Sequence, residues 1–318
     1  MAEGNKTSIT TFTLLGFGSD SNLQFPLFLS FLMIYNVTIA GNIIIIVLVI
    51  SDHHLHIPMY FLLGNLSFLE TCYSSTLLPK VLVSFLTGDK SISVAGCLTQ
   101  LYWFGSLVVA ECYVLAVMSY DRYLAVCKPL QYTTLMNGRL CFQLSAGSWL
   151  YGIAIMILVI SLMSQLNFCG PNEIDHFFCD FALVVKLSCS DPTQIIQLCF
   201  VFSAINSLPP FLLTMTSYAC IISAILKMSS TSGKRKAFST CSSHLIVVSL
   251  FYSSLIIVYV LPKNNELGEM NRILSVLYTV LTPLLNPIIY SLRNKEVKGA
   301  LKRLISKYIF ISKRNRHF

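Results

Sequence analysis

Few side chains in this sequence can do chemistry, and the informative ones sit among apolar neighbours. Asp121 and Arg122 lie in MSYDRYLAVCKPLQY (118–132), directly after an apolar stretch whose only other charge is Glu111. A second lone acid, Glu70, ends LHIPMYFLLGNLSFLE (55–70). Two carboxyls in apolar surroundings can share one proton, because like charges repel. They can also hold a cation such as Na⁺ with a nearby amide oxygen, or stay protonated and make ordinary interhelical hydrogen bonds. A carboxylate beside a guanidinium forms a charge pair that can open and close, although an Arg at a membrane boundary can also simply reach for water. None of this is covalent catalysis. The sequence has no HExxH or GxSxG pattern, so a membrane enzyme is not indicated. His53, His54 and His56 crowd one short stretch, a weak metal-ligand pattern, and no metal centre is expected from it.

The elements that carry these residues follow from composition. Of 318 residues, 55% are hydrophobic and only 11% charged, with mean hydropathy +0.70. Soluble domains carry about 25% charged residues. Apolar segments run over 25–50, 58–82, 96–124, 140–163, 195–226, 237–261 and 272–293. A membrane-spanning helix needs about 20 residues, so the pattern predicts an all-α membrane protein with a seven-helix bundle. The runs are too long for strands of a barrel. A transporter would show internal repeats and paired broken helices, and neither is seen. At about 1.5 Å rise per residue, Glu70 lies about 18 Å along its helix from Pro58, and Glu111 about 16 Å from Arg122. Both acids therefore reach mid-membrane, where a charge is costly and usually functional.

Lys and Arg set the expected orientation. With the 1–24 tail outside, sixteen of the 22 basic residues fall inside, which predicts an extracellular N-terminus and a cytoplasmic C-terminus. Inner-leaflet lipid accounts for the +8 net charge, and no nucleic-acid partner is needed. The tail lacks a cleavable signal pattern, so the first span is expected to act as an uncleaved signal-anchor. Asn5 begins a glycosylation sequon on the outer side. Cys97, Cys169, Cys179 and Cys189 also fall outside, where two bridges with three possible connectivities are expected. Residues 294–318 read as an amphipathic helix and cytoplasmic tail, the helix over 295–307 setting Val297, Leu301, Leu304 and Ile305 among basic residues along the membrane.

Together, LHIPMYFLLGNLSFLE, MSYDRY, KAFSTCSSH (236–244) and PLLNPIIYSLRN (283–294) closely resemble the odorant (olfactory) receptors, a branch of the rhodopsin-like G-protein-coupled receptors. Gly41-Asn42, Cys97 and Tyr218 also match, and the likeness covers essentially the whole chain. It implies a receptor for small volatile odorants that activates a stimulatory olfactory-type G protein and raises cAMP. It also implies Cys97–Cys179 and Cys169–Cys189 as the bridges. The activation switch would comprise Asp121, Arg122, Tyr218, His244, Asn286, Pro287 and Tyr290, with Asp121 holding Arg122 until a G protein docks. Glu70, Glu111 and Asn286 form the candidate ion or proton site, with Na⁺ as an allosteric ion.

Pocket positions counted from these motifs are Phe104, Gly105, Val108 and Val109 on the third span and Phe202, Ser203 and Asn206 on the fifth. Tyr252, Leu255 and Tyr259 follow on the sixth, and Val276 and Thr279 on the seventh. None is charged, which suits a neutral, mostly apolar ligand. The sequence departs from its relatives at Glu70, where Asp is usual, and at Ser119, where Ala is. The sixth span has Phe251-Tyr252-Ser253 in place of the Trp and Pro of the wider superfamily, which leaves its hinge undefined.

Overall fold

A computed structural model describes residues 9–18, 21–169, 171–189, 193–227, 230–259 and 268–315. Seven long helical rods form the body: α1 (Ser21–Ser51), α2 (Pro58–Thr87), α3 (Val94–Cys127), α5 (Gly138–Met163), α7 (Thr193–Lys227), α8 (Thr231–Tyr259) and a composite seventh. That last rod is α9 (Gly268–Val276), a π-helical turn at Leu277–Leu281, and α10 (Thr282–Arg293). Short helices α4 (Pro129–Leu135) and α6 (Phe181–Val185) sit in connections, and α11 (Lys295–Asn315) follows the bundle.

By length and composition, five described helical stretches can cross a membrane: Asn22–Ser51, Val94–Cys127, Gly138–Met163, Thr193–Lys227 and Met270–Ser291. The other two long rods are more polar. α2 carries Glu70 and Lys80, and in α8 the apolar stretch among the described residues is His244–Tyr259. Leu150, Ile50 and Phe142 lie exposed on the outer faces of their helices, as lipid-facing side chains do.

Local chemistry fixes the helix ends. Pro58 opens α2, where its missing N–H costs nothing, and Gly88 closes it at φ 73°. Ser93 caps α3 by accepting from the Gly96 N–H at 3.0 Å, and Asn137 caps α5 by accepting from Leu140 at 2.9 Å. The helices run a few residues past the apolar segments at several ends, because such polar caps belong to the helix but not to the apolar run.

α3 is the central rod and packs against α2, α5, α7 and α8. Gly152 of α5 meets it backbone to backbone: a Cβ there would lie 2.4 Å from the Ser106 carbonyl oxygen. One end of the bundle, here the disulfide end, also bears a small sheet that the periodicity did not signal. β1 (Thr11–Leu14) is its central strand, antiparallel to β2 (Ser91–Ser93) and parallel to β3 (Glu173–Ile174). Strands of two to four residues are too short to leave a periodic trace. Asn5 lies outside the described residues.

Candidate functional site

A cavity of about 140 Å³ lies toward the disulfide end, between α3, α5, α7 and α8. Phe104, Gly105, Val108 and Val109 form one wall, with Ile155, Met156 and Val159 of α5 beside them. Gly105 makes room for the latter: a Cβ there would lie 2.6 Å from Met156 Cε. Phe202, Ser203, Asn206 and Ser207 come from α7, and Leu255 and Tyr259 from α8.

Phe178 and Phe181 close the cavity from the 171–189 segment. That segment is tied to α3 because Cys179 is bonded to Cys97 and donates its N–H to Gln100 Oε1 at 3.0 Å. A second bridge joins Cys169 to Cys189. Asp180 caps α6 and also accepts from the Tyr259 hydroxyl at 2.8 Å, while the Tyr278 hydroxyl lies 2.9 Å from that of Tyr259. Asp175 pairs with Arg272 on α9.

Mid-bundle lies a polar core. Glu70 and Glu111 are both fully buried, and Asn286 donates its amide to Glu70. Glu70 Oε2, both Glu111 oxygens, Asn286 Oδ1, Asn42 Oδ1 and Ser74 Oγ have no hydrogen-bond partner among the described residues. Asn42 also has a structural duty. Pro287 has no N–H, so the Pro283 carbonyl four residues back loses its helical donor. Asn42 Nδ2 donates to that carbonyl at 3.3 Å, as well as to the Thr38 carbonyl at 3.1 Å. Gly41 lets the two helices approach, since a Cβ there would sit 3.0 Å from Pro287 Cβ.

At the far end of α3, Arg122 pairs with Asp121, donating its Nε to Oδ2 at 3.0 Å. Tyr132 of α4 donates its hydroxyl to Asp121 Oδ1 at 2.8 Å. Burial, and then the neighbouring Asp121 carboxylate, pushes the Tyr132 phenol up, so it stays a donor. Tyr218 of α7 is hydrogen-bonded to His244 of α8, whose ring centroid lies 6.3 Å from that of Tyr290. Just beyond, Tyr60 donates to Asn294 Oδ1 at 3.0 Å, and Arg303 of α11 donates to Asp52 Oδ2 at 2.7 Å. Burial works to raise the Asp52 carboxyl, but hydrogen bonds from His54 and Arg303 outweigh it and hold the group at about 2.

The olfactory receptor family profile matches residues 31–308, most of the chain. The chain is 49% identical to olfactory receptor 6B1 of Homo sapiens over 300 residues, covering 94% of this chain and 96% of that protein. Identity to olfactory receptor 10A7 of Homo sapiens is 47% over 305 residues, and to olfactory receptor 5AP2 of Mus musculus 45% over 305, each covering 96% of both chains. The chain belongs to the olfactory receptor family. It is therefore a multi-pass membrane receptor with odorant ligands and G-protein coupling, and not an enzyme.

In this receptor, nine of the twelve pocket positions counted from the motifs line the cavity. Tyr252, Val276 and Thr279 do not. Tyr252 is wholly buried and donates its hydroxyl to the Cys112 carbonyl at 2.5 Å, tying α8 to α3 where the wider superfamily has its Trp. Thr279 donates to the Ser275 carbonyl at 2.6 Å, inside its own helix. Thr279 lies within the π-helical turn and Val276 just before it.

Sequence reasoning missed the α5 wall, Asp180 and Tyr132. Tyr132 ends the quoted 118–132 stretch, and Pro129 two residues after α3 was the available signal that the chain turns back there. Ser119, in place of the usual Ala, donates to the Ala116 carbonyl at 2.7 Å and contacts Thr214 Oγ1 at 3.3 Å, which explains its tolerance in a buried position.

Proposed function

We propose that this olfactory receptor takes a small, neutral odorant into the cavity between α3, α5, α7 and α8 and signals through a stimulatory olfactory-type G protein, raising cAMP. The observation that carries the reading is the cavity itself: mostly apolar and free of charged side chains in its lining. An engineered apolar cavity of about 150 Å³ binds benzene, so about 140 Å³ suits a volatile of similar bulk. In this reading the disulfide end, with Asn5 as a glycan acceptor, faces outside, and α11 lies on the cytoplasmic leaflet.

Leu255 and Tyr259 touch the cavity, and His244 lies about 16 Å down the same helix. A ligand that fits better when α8 has shifted would draw the receptor toward that state, since only differential affinity moves a population. The shift breaks the Tyr252–Cys112 tie and rearranges Tyr218, His244 and Tyr290, and Arg122 then leaves Asp121 for the docked G protein. Pro287 lets α10 bend with it.

The polar core supports Na⁺ as an allosteric ion. One carboxyl oxygen of Glu70, both of Glu111 and the amide oxygen of Asn286 supply hard oxygen donors with no other partner among the described residues. Replacing sodium by a bulky organic cation should then change odorant potency, and Glu111→Gln should abolish that difference. A sodium-independent potency would instead favour one shared proton.

The main test is cAMP in cells expressing the receptor with the stimulatory olfactory-type G protein, scanned with volatiles and repeated with Arg122→Ala and Gly105→Trp at matched surface level. Both variants should lose the response. A response untouched by Gly105→Trp would place the ligand elsewhere, and one untouched by Arg122→Ala would remove Arg122 from the switch.

A further inference from the structure

We infer that the cavity selects odorants that donate a hydrogen bond, alcohols and phenols, over ketones, aldehydes and ethers of the same shape, and that Asn206 reads the hydroxyl. This rests on the cavity being the odorant site and goes on to name the ligand class.

Asn206 lines the cavity on α7 and is 6% exposed. Its Nδ2 donates to the Phe202 carbonyl at 2.7 Å. That carbonyl can only accept, so the amide nitrogen must face it, and the amide cannot be turned over without losing the bond. Asn206 Oδ1 is thereby left with no partner among the described residues. The main chain adds a second acceptor at the same residue. Pro210 stands four residues on and has no N–H for the Asn206 carbonyl.

Two nearby hydroxyl hydrogens, those of Ser207 and Tyr259, are already engaged. Ser207 donates to the Ser203 carbonyl at 2.7 Å, and Tyr259 to the Asp180 carboxylate at 2.8 Å. Asn206 therefore presents its side-chain and main-chain oxygens as acceptors that neither Ser207 nor Tyr259 can fill. A ligand hydroxyl satisfies Oδ1 as a donor and can accept the amide's second N–H through its own oxygen. A ketone, aldehyde or ether can do only the latter and leaves Oδ1 unpaired. Sites built for a hydroxyl discriminate strongly against analogues that lack one, because the site's own polar group is stranded.

The test compares matched volatiles on the full receptor: benzyl alcohol with benzaldehyde and benzyl methyl ether, and hexan-1-ol with hexanal and methyl pentyl ether. Dose–response curves are taken for wild type, Asn206→Leu, Asn206→Ser and Gly105→Trp, each with surface level measured. The alcohols should be about ten-fold more potent than their partners, the worth of one buried hydrogen bond. Asn206→Leu should bring the two classes level. Asn206→Ser retains an acceptor and should keep part of the preference.

Ethers or carbonyl compounds equal to the alcohols on wild type, with Gly105→Trp still abolishing the response, would overturn this inference and leave the cavity as the odorant site. A response indifferent to Gly105→Trp would overturn the cavity itself. Silence to both alcohols at verified surface expression would also overturn the inference, since the cavity is of their size. If Asn206→Leu does not reach the surface, Asn206→Ser and the wild-type ranking decide.

Discussion

The bond from Asn42 to the Pro283 carbonyl gives a prediction in which two residues on different helices answer for each other. Asn42→Leu removes the donor that Pro287 made necessary, so a buried carbonyl is left unpaired at a cost of about 1–3 kcal/mol. Part of that returns, because Asn42 Oδ1 is itself unpartnered and disappears with the side chain. A net loss of about 1–2 kcal/mol is expected, toward the upper end of what interhelical hydrogen bonds contribute in membranes. In a chain of this size that lowers the melting temperature by a few degrees, about 2–4 °C. Pro287→Ala restores an N–H at the position that serves the Pro283 carbonyl, so Asn42→Leu in that background should cost less than about 0.5 kcal/mol.

The assay is thermal unfolding of the purified receptor in nanodiscs at a fixed scan rate, followed with a thiol-reactive dye. Cys112 and Cys141 are free and buried and report on opening of the bundle. If Asn42→Leu costs the same in the Pro287→Ala background as in wild type, Asn42 contributes something other than a donor for the kinked helix, and its pairing with the proline is refuted.

Three further outcomes are expected. Tyr132→Phe removes one of the bonds holding Asp121 and should raise ligand-free cAMP by up to about ten-fold at equal surface level; unchanged basal signalling would show that the Arg122 contact suffices. Gly152→Leu should abolish surface expression, because the added side chain must displace the α3 backbone, whereas Gly147→Leu, with open space around it, should express normally. Asp52 has a folded pKa of about 2 against an ordinary 3.8, so its stabilising effect is complete above about pH 4 and is lost as pH falls through 2. The difference in melting temperature between wild type and Asp52→Asn should accordingly be constant near neutral pH and shrink toward zero in strong acid.

The seven long helices were legible because apolar runs of spanning length leave little else for the backbone to do. Residues that break those runs were legible for the opposite reason: Glu70, Glu111, Asp121, Arg122 and Asn286 are costly where they stand, and the structure sets Glu70 against Asn286 and Asp121 against Arg122. What escaped was whatever depends on phase or on chain reversal. The π-helical turn at Leu277–Leu281 has no sequence mark comparable to a proline, so the apolar pattern did not show it. Ile155, Met156 and Val159 look like any other lipid-facing residues of α5 until Gly105 is seen to open a gap opposite them. Tyr132 reaches Asp121 only because α4 folds back at Pro129, a tertiary event with a local cue.

The small sheet at the disulfide end has a consequence for the order of assembly. Its middle strand, Thr11–Leu14, is the earliest described segment to be made, yet both neighbours lie far downstream, at Ser91–Ser93 and Glu173–Ile174. The opening segment must wait, unpaired, until α1 and α2 and then α3, α4 and α5 have been laid down. Only then can it act as a clasp between two connections that otherwise do not touch in the sheet. Trimming the chain by a dozen residues at its start would therefore not shave an edge from the lid of the cavity. It would remove the piece that joins its two halves.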